Sequence, residues 1–426
     1  MLIHYDSIRI IAPIISFAFL ALGFKRPVFP CLGFMYFYYW KIAHHFPMLI
    51  NLKVELIYGL TVIVIILFTY HGLSQNIKND SILKYLYWFL FAYIVSYMFA
   101  WDQTHSWDSS VYHFIKVLII AFGILVTVRD QIDVKIAIWG VILMYVYLAY
   151  EPMYRFLIKT GADVQMYGNV YVSDLGILSG HVSLANNMNQ MIPIAMFLIF
   201  TIKNKLLRIL SSIPLLIFLL CLVGSKSRGG VVGFILFIVL VLLLARHLLR
   251  SRLALGIFVT IGIMFGGILI GTFSRIDTGS SEGRLIRVIH GIEMVRKGNI
   301  VGVGPGCFIL ASGKYFGHSM MSHNLYGQLI GELGIPGALT WFLFLKAILS
   351  RLNTIRRKSA KKFKEQDNFW YYLTLGLLLS MLIRLFVGLG SHSLYFFNWY
   401  VFGMLTVHIS RFYNEMMNTE NQLEQK

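Results

Sequence analysis

Apolar runs of similar length alternate with short polar connections along almost the whole chain. They fall at residues 8–24, 28–44, 52–70, 82–100, 111–128, 132–151, 185–202, 207–223, 229–248, 252–271, 325–349, 369–390 and 393–410. Each approaches the ~20 residues that an α-helix needs to cross a bilayer. The pattern predicts an all-α polytopic membrane protein with about 12–13 transmembrane helices. Residues 283–337 form the longest stretch too polar and too rich in glycine to cross, which predicts one large loop domain on a membrane face. The expected division is an N-terminal transmembrane bundle at 1–180, central helices at 181–271 and an extracytoplasmic loop at 272–324. C-terminal helices at 325–411 and a tail at 412–426 follow.

Composition narrows the class further. With 58% hydrophobic and 13% charged residues and a mean hydropathy of +0.70, the chain has too little polar surface for a soluble protein of 426 residues. The net charge of +18 is spread over short loops between apolar runs. That distribution orients a membrane protein and argues against nucleic acid as a partner. The basic connections at 129–135, 203–208, 246–252 and 351–364 alternate so as to share one side, which the positive-inside trend makes cytoplasmic. Segments 101–110, 152–184, 224–228, 272–324 and 390–393 then face outward. The first apolar run is followed by Lys25-Arg26-Pro27 rather than a small-residue cleavage site, so no cleavable signal is expected. Cys31, Cys221 and Cys307 give neither a disulfide framework nor a metal cluster.

The outward loop carries the candidate chemistry. Its cations (Arg284, Arg287, Arg296, Lys297, Lys314) and histidines (His290, His318, His323) outnumber Glu282, Glu293 and Glu332, so an anion is the expected guest. Arg284, Arg287 and Gly291 recur at helical spacing, which predicts a short helix over 282–297 with two guanidiniums on one side. The planar fork of arginine suits a diphosphate. A second outward turn, Gly224-Ser225-Lys226-Ser227-Arg228-Gly229-Gly230, offers two cations, two hydroxyls and flanking glycines to the same kind of anion. It lacks the spacing of a Walker A loop. The run Gly302-Val303-Gly304-Pro305-Gly306 is not a dinucleotide fingerprint and predicts a tight turn. His323-Asn324 stands at the start of the next apolar helix, with Glu332 about two turns on. Imidazole is the side chain best able to accept a proton at neutral pH. Arg384, Lys116 and His392 fall toward the outer leaflet. An arginine there needs a partner or a watery cavity, so Arg384 is expected to face a cavity opening outward.

In this order the motifs resemble the O-antigen ligase and O-antigen polymerase superfamily of bacterial inner-membrane glycosyltransferases. The pieces are Ser227-Arg228-Gly229, Gly283-Arg284, Gly302 to Gly306, His323-Asn324 and Glu332-Leu333-Gly334-Ile335-Pro336-Gly337. Upstream, Asn186-Asn187-Met188-Asn189 is similar to the asparagine-containing start of a span in that family. The resemblance covers roughly residues 180–340, and Val288 stands where the family usually has a tryptophan.

The resemblance implies a GT-C-like membrane fold and metal-independent inverting transfer of a glycan from undecaprenyl diphosphate, with no cofactor. Arg228 and Arg284 would hold the donor diphosphate and His323 would activate the acceptor hydroxyl. Arg287, Lys226, Arg384, Asn324 and Glu332 are further candidates at the site. The partners implied are the lipid bilayer, an undecaprenyl-diphosphate-linked glycan and an acceptor glycolipid, either lipid A core for a ligase or a second lipid-linked glycan for a polymerase. Relatives transfer to protein hydroxyls, and ligase is the leading expectation. The place implied is the bacterial inner membrane with the site facing the periplasm. A transporter of an anionic lipid or solute would also use arginines in an outward cavity. Such proteins are often built of paired halves, whereas the large loop here lies off-centre, near residue 300 of 426.

Overall fold

In a computed structural model, residues 2–158, 180–245, 279–361 and 369–424 are described. The expected run at 252–271, the basic connection at 246–252 and most of the 152–184 segment lie outside them. The described residues form helices and no strands. In chain order the principal ones are α1 (Leu2–Leu22), α2 (Val28–Tyr39), α3 (Val54–Tyr70), α4 (Ser81–Met98), α5 (Tyr112–Thr127), α6 (Gln131–Ile158) and α7 (His181–Ile199). They continue with α8 (Ile213–Gly224), α9 (Arg228–Leu244), α10 (Gly279–Arg296), α11 (Phe308–Phe316), α12 (Leu325–Lys361), α13 (Phe369–Val387) and α14 (Phe397–Glu424). Among the described residues six helical stretches are long and apolar enough to cross a membrane, and four apolar helices are shorter. The fold is that of an all-α polytopic membrane protein.

Several expected spans change shape for identifiable reasons. The run 28–44 yields only the 12-residue α2, about 18 Å long at 1.5 Å per residue and short of a ~30 Å hydrocarbon core. It ends where Lys41 adopts a left-handed backbone with φ 49°. α2 is instead sunk into the bundle, with the Tyr36 hydroxyl donating to the Gly140 carbonyl and the Trp40 indole to that of Met144. The asparagines at the start of the 185–202 run lie within α7, where Asn186, Asn187, Asn189 and Gln190 are all buried. Their amides bind neighbouring helices: Asn189 donates to the Gly230 carbonyl, and Gln190 accepts from Asn398. Burying amides is costly unless they are paired, and these pairings tie α7 to α9 and α14. Residues 412–424 continue α14 rather than forming a separate tail.

The two ends of the bundle differ in chemistry. At one end Arg351 pairs with Asp80 and donates to Ser410, Arg411 donates to the Arg129 carbonyl, and Arg356 donates to that of Leu244. The basic connections around Arg129 and Arg351 therefore share an end, as their alternation predicts. Arg26, held by Asp130 and Asp133, belongs to the same cluster. The glycine turn, α10 and the start of α12 occupy the other end.

A break in α12 shapes that other end. Gly334 takes φ 65° and ψ −163°, splitting the expected 325–349 span two residues before Pro336. The break frees backbone carbonyls, and the glycine turn satisfies them. Val303 and Gly304 N–H groups donate to the Gly331 and Glu332 carbonyls, and Ile335 N–H donates to the Ile300 carbonyl. The Ser96 hydroxyl of α4 adds a second donor to the Glu332 carbonyl at 2.6 Å. Contact is so close that a Cβ at Gly302 would stand 2.1 Å from the Glu332 oxygen, and one at Gly334 2.0 Å from the Ile300 oxygen. Both positions also need positive φ. The glycines of the turn and of the Glu332–Gly337 motif thus form one lock. Gly334→Ala is expected to cost at least about 1–3 kcal/mol from backbone strain alone. Thermal unfolding in detergent should show a clearly lowered transition for this variant, whereas alanine at exposed Gly72, where no positive φ is needed and a Cβ would meet only the Thr69 oxygen at 3.4 Å, should do much less.

Candidate active site

The loop helix forms as its spacing predicts, α10 running from Gly279 to Arg296. It lies across α12 at a glycine pair. A Cβ on Gly291 would meet the Gly327 carbonyl oxygen at 2.6 Å, and one on Gly327 would meet the Arg287 oxygen at 2.5 Å. Only two hydrogen-bearing α-carbons allow the backbones this close. The crossing brings Arg284 and Arg287 beside the first turn of α12, where His323 and Asn324 stand.

Asn324 is the hinge pin of the arrangement. Its side-chain oxygen accepts from the Tyr326 and Gly327 N–H groups at 2.9 and 3.1 Å, an N-terminal cap for α12. Its amide nitrogen donates to the Leu389 carbonyl at 2.8 Å and to the Arg284 carbonyl at 3.4 Å. One buried side chain thus joins α10, α12 and the turn after α13. The Arg284 guanidinium lies against that turn, its Nη1 3.1 Å from where a Gly390 Cβ would be.

His323 precedes this cap with φ 40°. A non-glycine residue held in the left-handed region stores strain that the surrounding contacts must offset, and such residues gather at functional sites. Its ring stands 5.3 Å from that of His392, centroid to centroid. Partial burial, then the charges of Arg287 and Arg284, push the His323 pKa below its ordinary value. His392 is lowered as well, by desolvation first and then by His323, Arg384 and Arg287. Both imidazoles are thereby kept neutral near pH 7. Among the described residues no carboxylate forms an ion pair with Arg228, Arg284 or Arg287. The other loop histidines are placed differently: His290 stacks on Phe316 at 3.7 Å, and His318 is exposed beyond α11.

The second turn is built as a helix start. Ser227 caps α9 by accepting from the Gly230 N–H at 3.2 Å. Lys226 is exposed with φ 48°, and Arg228 is exposed at the first helical position. Free N–H groups and the helix dipole favour an anion at such an end. Gly233 of α9 lies against Val387 of α13. Arg228, five residues earlier, is about 7.5 Å farther along the axis, on the side toward Gly390 and Arg284. The structure thus puts Arg228, Arg284, Arg287 and His323 at one end of the bundle.

Arg384 lies deeper. It is 1% exposed, stacks 4.3 Å over the Phe396 ring and donates to Asn187 at 3.4 Å. Glu332 is 4% exposed. It accepts from the Tyr395 hydroxyl at 2.6 Å and from Gln328 at 3.4 Å. His392 and Tyr395 were given no role in the sequence reading. The signal for them is weak, a lone histidine in a glycine-serine turn and a tyrosine in an aromatic run, because their importance comes from what α12 places opposite them.

Taken together, these features define a polytopic helical membrane protein with a cationic, histidine-bearing site at one end of its bundle. Residues 213–342 match the family described as O-Antigen ligase, which supports the resemblance to the O-antigen ligase and polymerase superfamily. The matched segment holds Arg228, Arg284, Arg287, His323, Asn324 and Glu332, while Arg384 and His392 lie beyond it. The chain matches no curated protein.

Proposed function

We propose that the protein transfers a glycan from undecaprenyl diphosphate to an acceptor hydroxyl at the outer face of the bacterial inner membrane, as a ligase acting on lipid A core. The carrying observation is the pair of guanidiniums on α10 beside a neutral histidine, with no carboxylate of the described residues paired to them. Arg284, with Arg287 and Arg228, would bind the diphosphate through bidentate contacts. His323 would accept the proton of the attacking hydroxyl. The acceptor oxygen forms its bond to the anomeric carbon as the carbon–phosphate oxygen bond breaks from the opposite face. The bonding pair leaves on the diphosphate, whose growing charge the guanidiniums offset. The configuration inverts. The arginine-rich end holding Arg129 and Arg351 would face the cytoplasm.

The test is reconstitution in liposomes with an undecaprenyl-diphosphate glycan and candidate acceptors. A new glycoside on lipid A core is the expected product. Glycan joined to a second lipid-linked unit would make the protein a polymerase, and label moved across the bilayer without chemical change would make it a transporter. Excess EDTA is expected to leave the rate unchanged, because arginines already neutralise the leaving group. Loss of transfer that magnesium or manganese restores would overturn that part.

A further inference from the structure

A cavity of about 270 Å³ opens beside His392 and Ser322. Its wall is shared between halves of the chain that the matched family segment does not join. His105 and Ser110 come from the turn before α5, Gln328 and Glu332 from α12, and His392 and Ser393 from the connection after α13. The approach to α5 includes a π-helical turn, Trp107–Val111, a deformation that recurs at functional sites. The glycine turn presses on it, a Gly306 Cβ falling 2.1 Å from the Ser109 hydroxyl.

Two features say what the cavity is shaped to take. Ser393 is 2% exposed and lines the wall, yet its hydroxyl has no hydrogen-bond partner among the described residues, and neither has the buried His105 Nε2. Buried polar atoms are seldom left unpaired, so these call for a guest with hydroxyls. Glu332 is the second feature. Its carboxyl group lines the cavity and offers hydrogen-bonding oxygens rather than a cation, which suits the hydroxyls of a neutral polyol better than a phosphate. Phe308 and Phe396 give apolar faces for ring carbons. The volume is many times the space one water needs, ample for a sugar ring.

We propose that this cavity is the subsite for the sugar ring of the acceptor, with Glu332 as its principal hydrogen-bond acceptor and Ser393 and His105 as further contacts. The inference rests on the transfer reaction proposed above. It assigns the acceptor rather than the donor sugar because the cavity reaches His392 and Ser322, the neighbours of the base, from the side that carries a carboxylate instead of guanidiniums. His323 itself lies just outside the lining, next to Ser322 and 5.3 Å from the His392 ring, so the acceptor hydroxyl would extend from the cavity past His392 toward the base.

The experiment has two arms. In the first, initial rates with reconstituted protein are measured against acceptor at saturating donor, and against donor at saturating acceptor. Glu332→Gln is expected to raise the acceptor KM about 5–100-fold, the range for leaving a buried hydrogen-bonding group mismatched, with the donor KM within about twofold. Ser393→Ala removes an unpartnered hydroxyl, should keep the thermal transition of the unmodified protein, and is expected to raise the acceptor KM several-fold. A rise confined to the donor KM would assign the ring to the donor and overturn the proposal, as would acceptor KM values unchanged in both variants. The second arm needs no turnover. Binding of a panel of methyl pyranosides to the full chain in nanodiscs is followed by saturation-transfer NMR. Binding by the unmodified protein that weakens in Ser393→Ala and Glu332→Gln supports the subsite even where no glycoside forms. Binding by no member of the panel, together with unchanged KM values, sinks the subsite while leaving the transfer reaction standing.

Discussion

His323→Ala is expected to lower glycan transfer by about 10²–10⁴-fold, the usual contribution of a positioned general base, while donor binding changes little. His290→Ala and His318→Ala should retain most activity, the first because its ring stacks on Phe316 and the second because it is exposed beyond α11. Rates of the three variants in one reconstituted assay, with donor binding measured separately, decide the matter. pH adds an independent readout. The base works in its neutral form, and burial with the Arg287 and Arg284 charges lowers its pKa. The acid limb of the rate profile should therefore lie below the ordinary histidine value of about 6.5. Removing one of those charges in Arg287→Gln should move the limb upward. A limb that stays in place would mean that the titrating group is not His323. If His323→Ala lost donor binding as severely as turnover, the histidine would belong to the diphosphate site instead, and full turnover would leave the base to be sought elsewhere, with Glu332 first.

Arg284→Lys and Arg228→Lys should each cut transfer by about 10²–10³-fold, the scale for losing one preorganised contact to a developing anion. Lysine keeps the charge and loses the bidentate fork, so the loss reports geometry as well as charge. The two positions are reached by different routes. Arg284 is held by the α10–α12 glycine crossing and by Asn324, whereas Arg228 projects from the capped start of α9. If both lysine variants turned over at near-normal rates, the shared diphosphate site would have to be abandoned. If Arg284→Lys alone were impaired, Arg228 would be an interfacial residue and the donor would rest on α10.

Much of the chain's organisation is readable without coordinates. Runs of apolar residues in a lipid solvent leave few options, because each backbone polar group must be satisfied within its own segment. That constraint makes the all-helical class and the polar loop legible, and helical spacing alone sets Arg284 and Arg287 on one helix. Chemistry follows residue type in the same way: guanidiniums for a diphosphate, imidazole for a proton.

Tertiary structure decided where those groups meet. Gly334 two residues before Pro336 hints at a break, but the positive φ it adopts depends on the Ile300 carbonyl that lies against it and on the Val303 and Gly304 amides that satisfy the freed carbonyls of α12. Nor does the sequence reveal that Asn186 to Gln190, inside the expected 185–202 run, are buried with their amides paired, because such burial is tolerated only when partners such as Gly230 and Asn398 arrive from elsewhere in the chain. His392 beside His323, Tyr395 on Glu332 and the cavity shared with His105 are likewise contacts between distant segments. Residue type and periodicity are properties of neighbours along the chain, and they set class, helices and candidate groups. Pairing across the bundle is a property of packing, and it set the site.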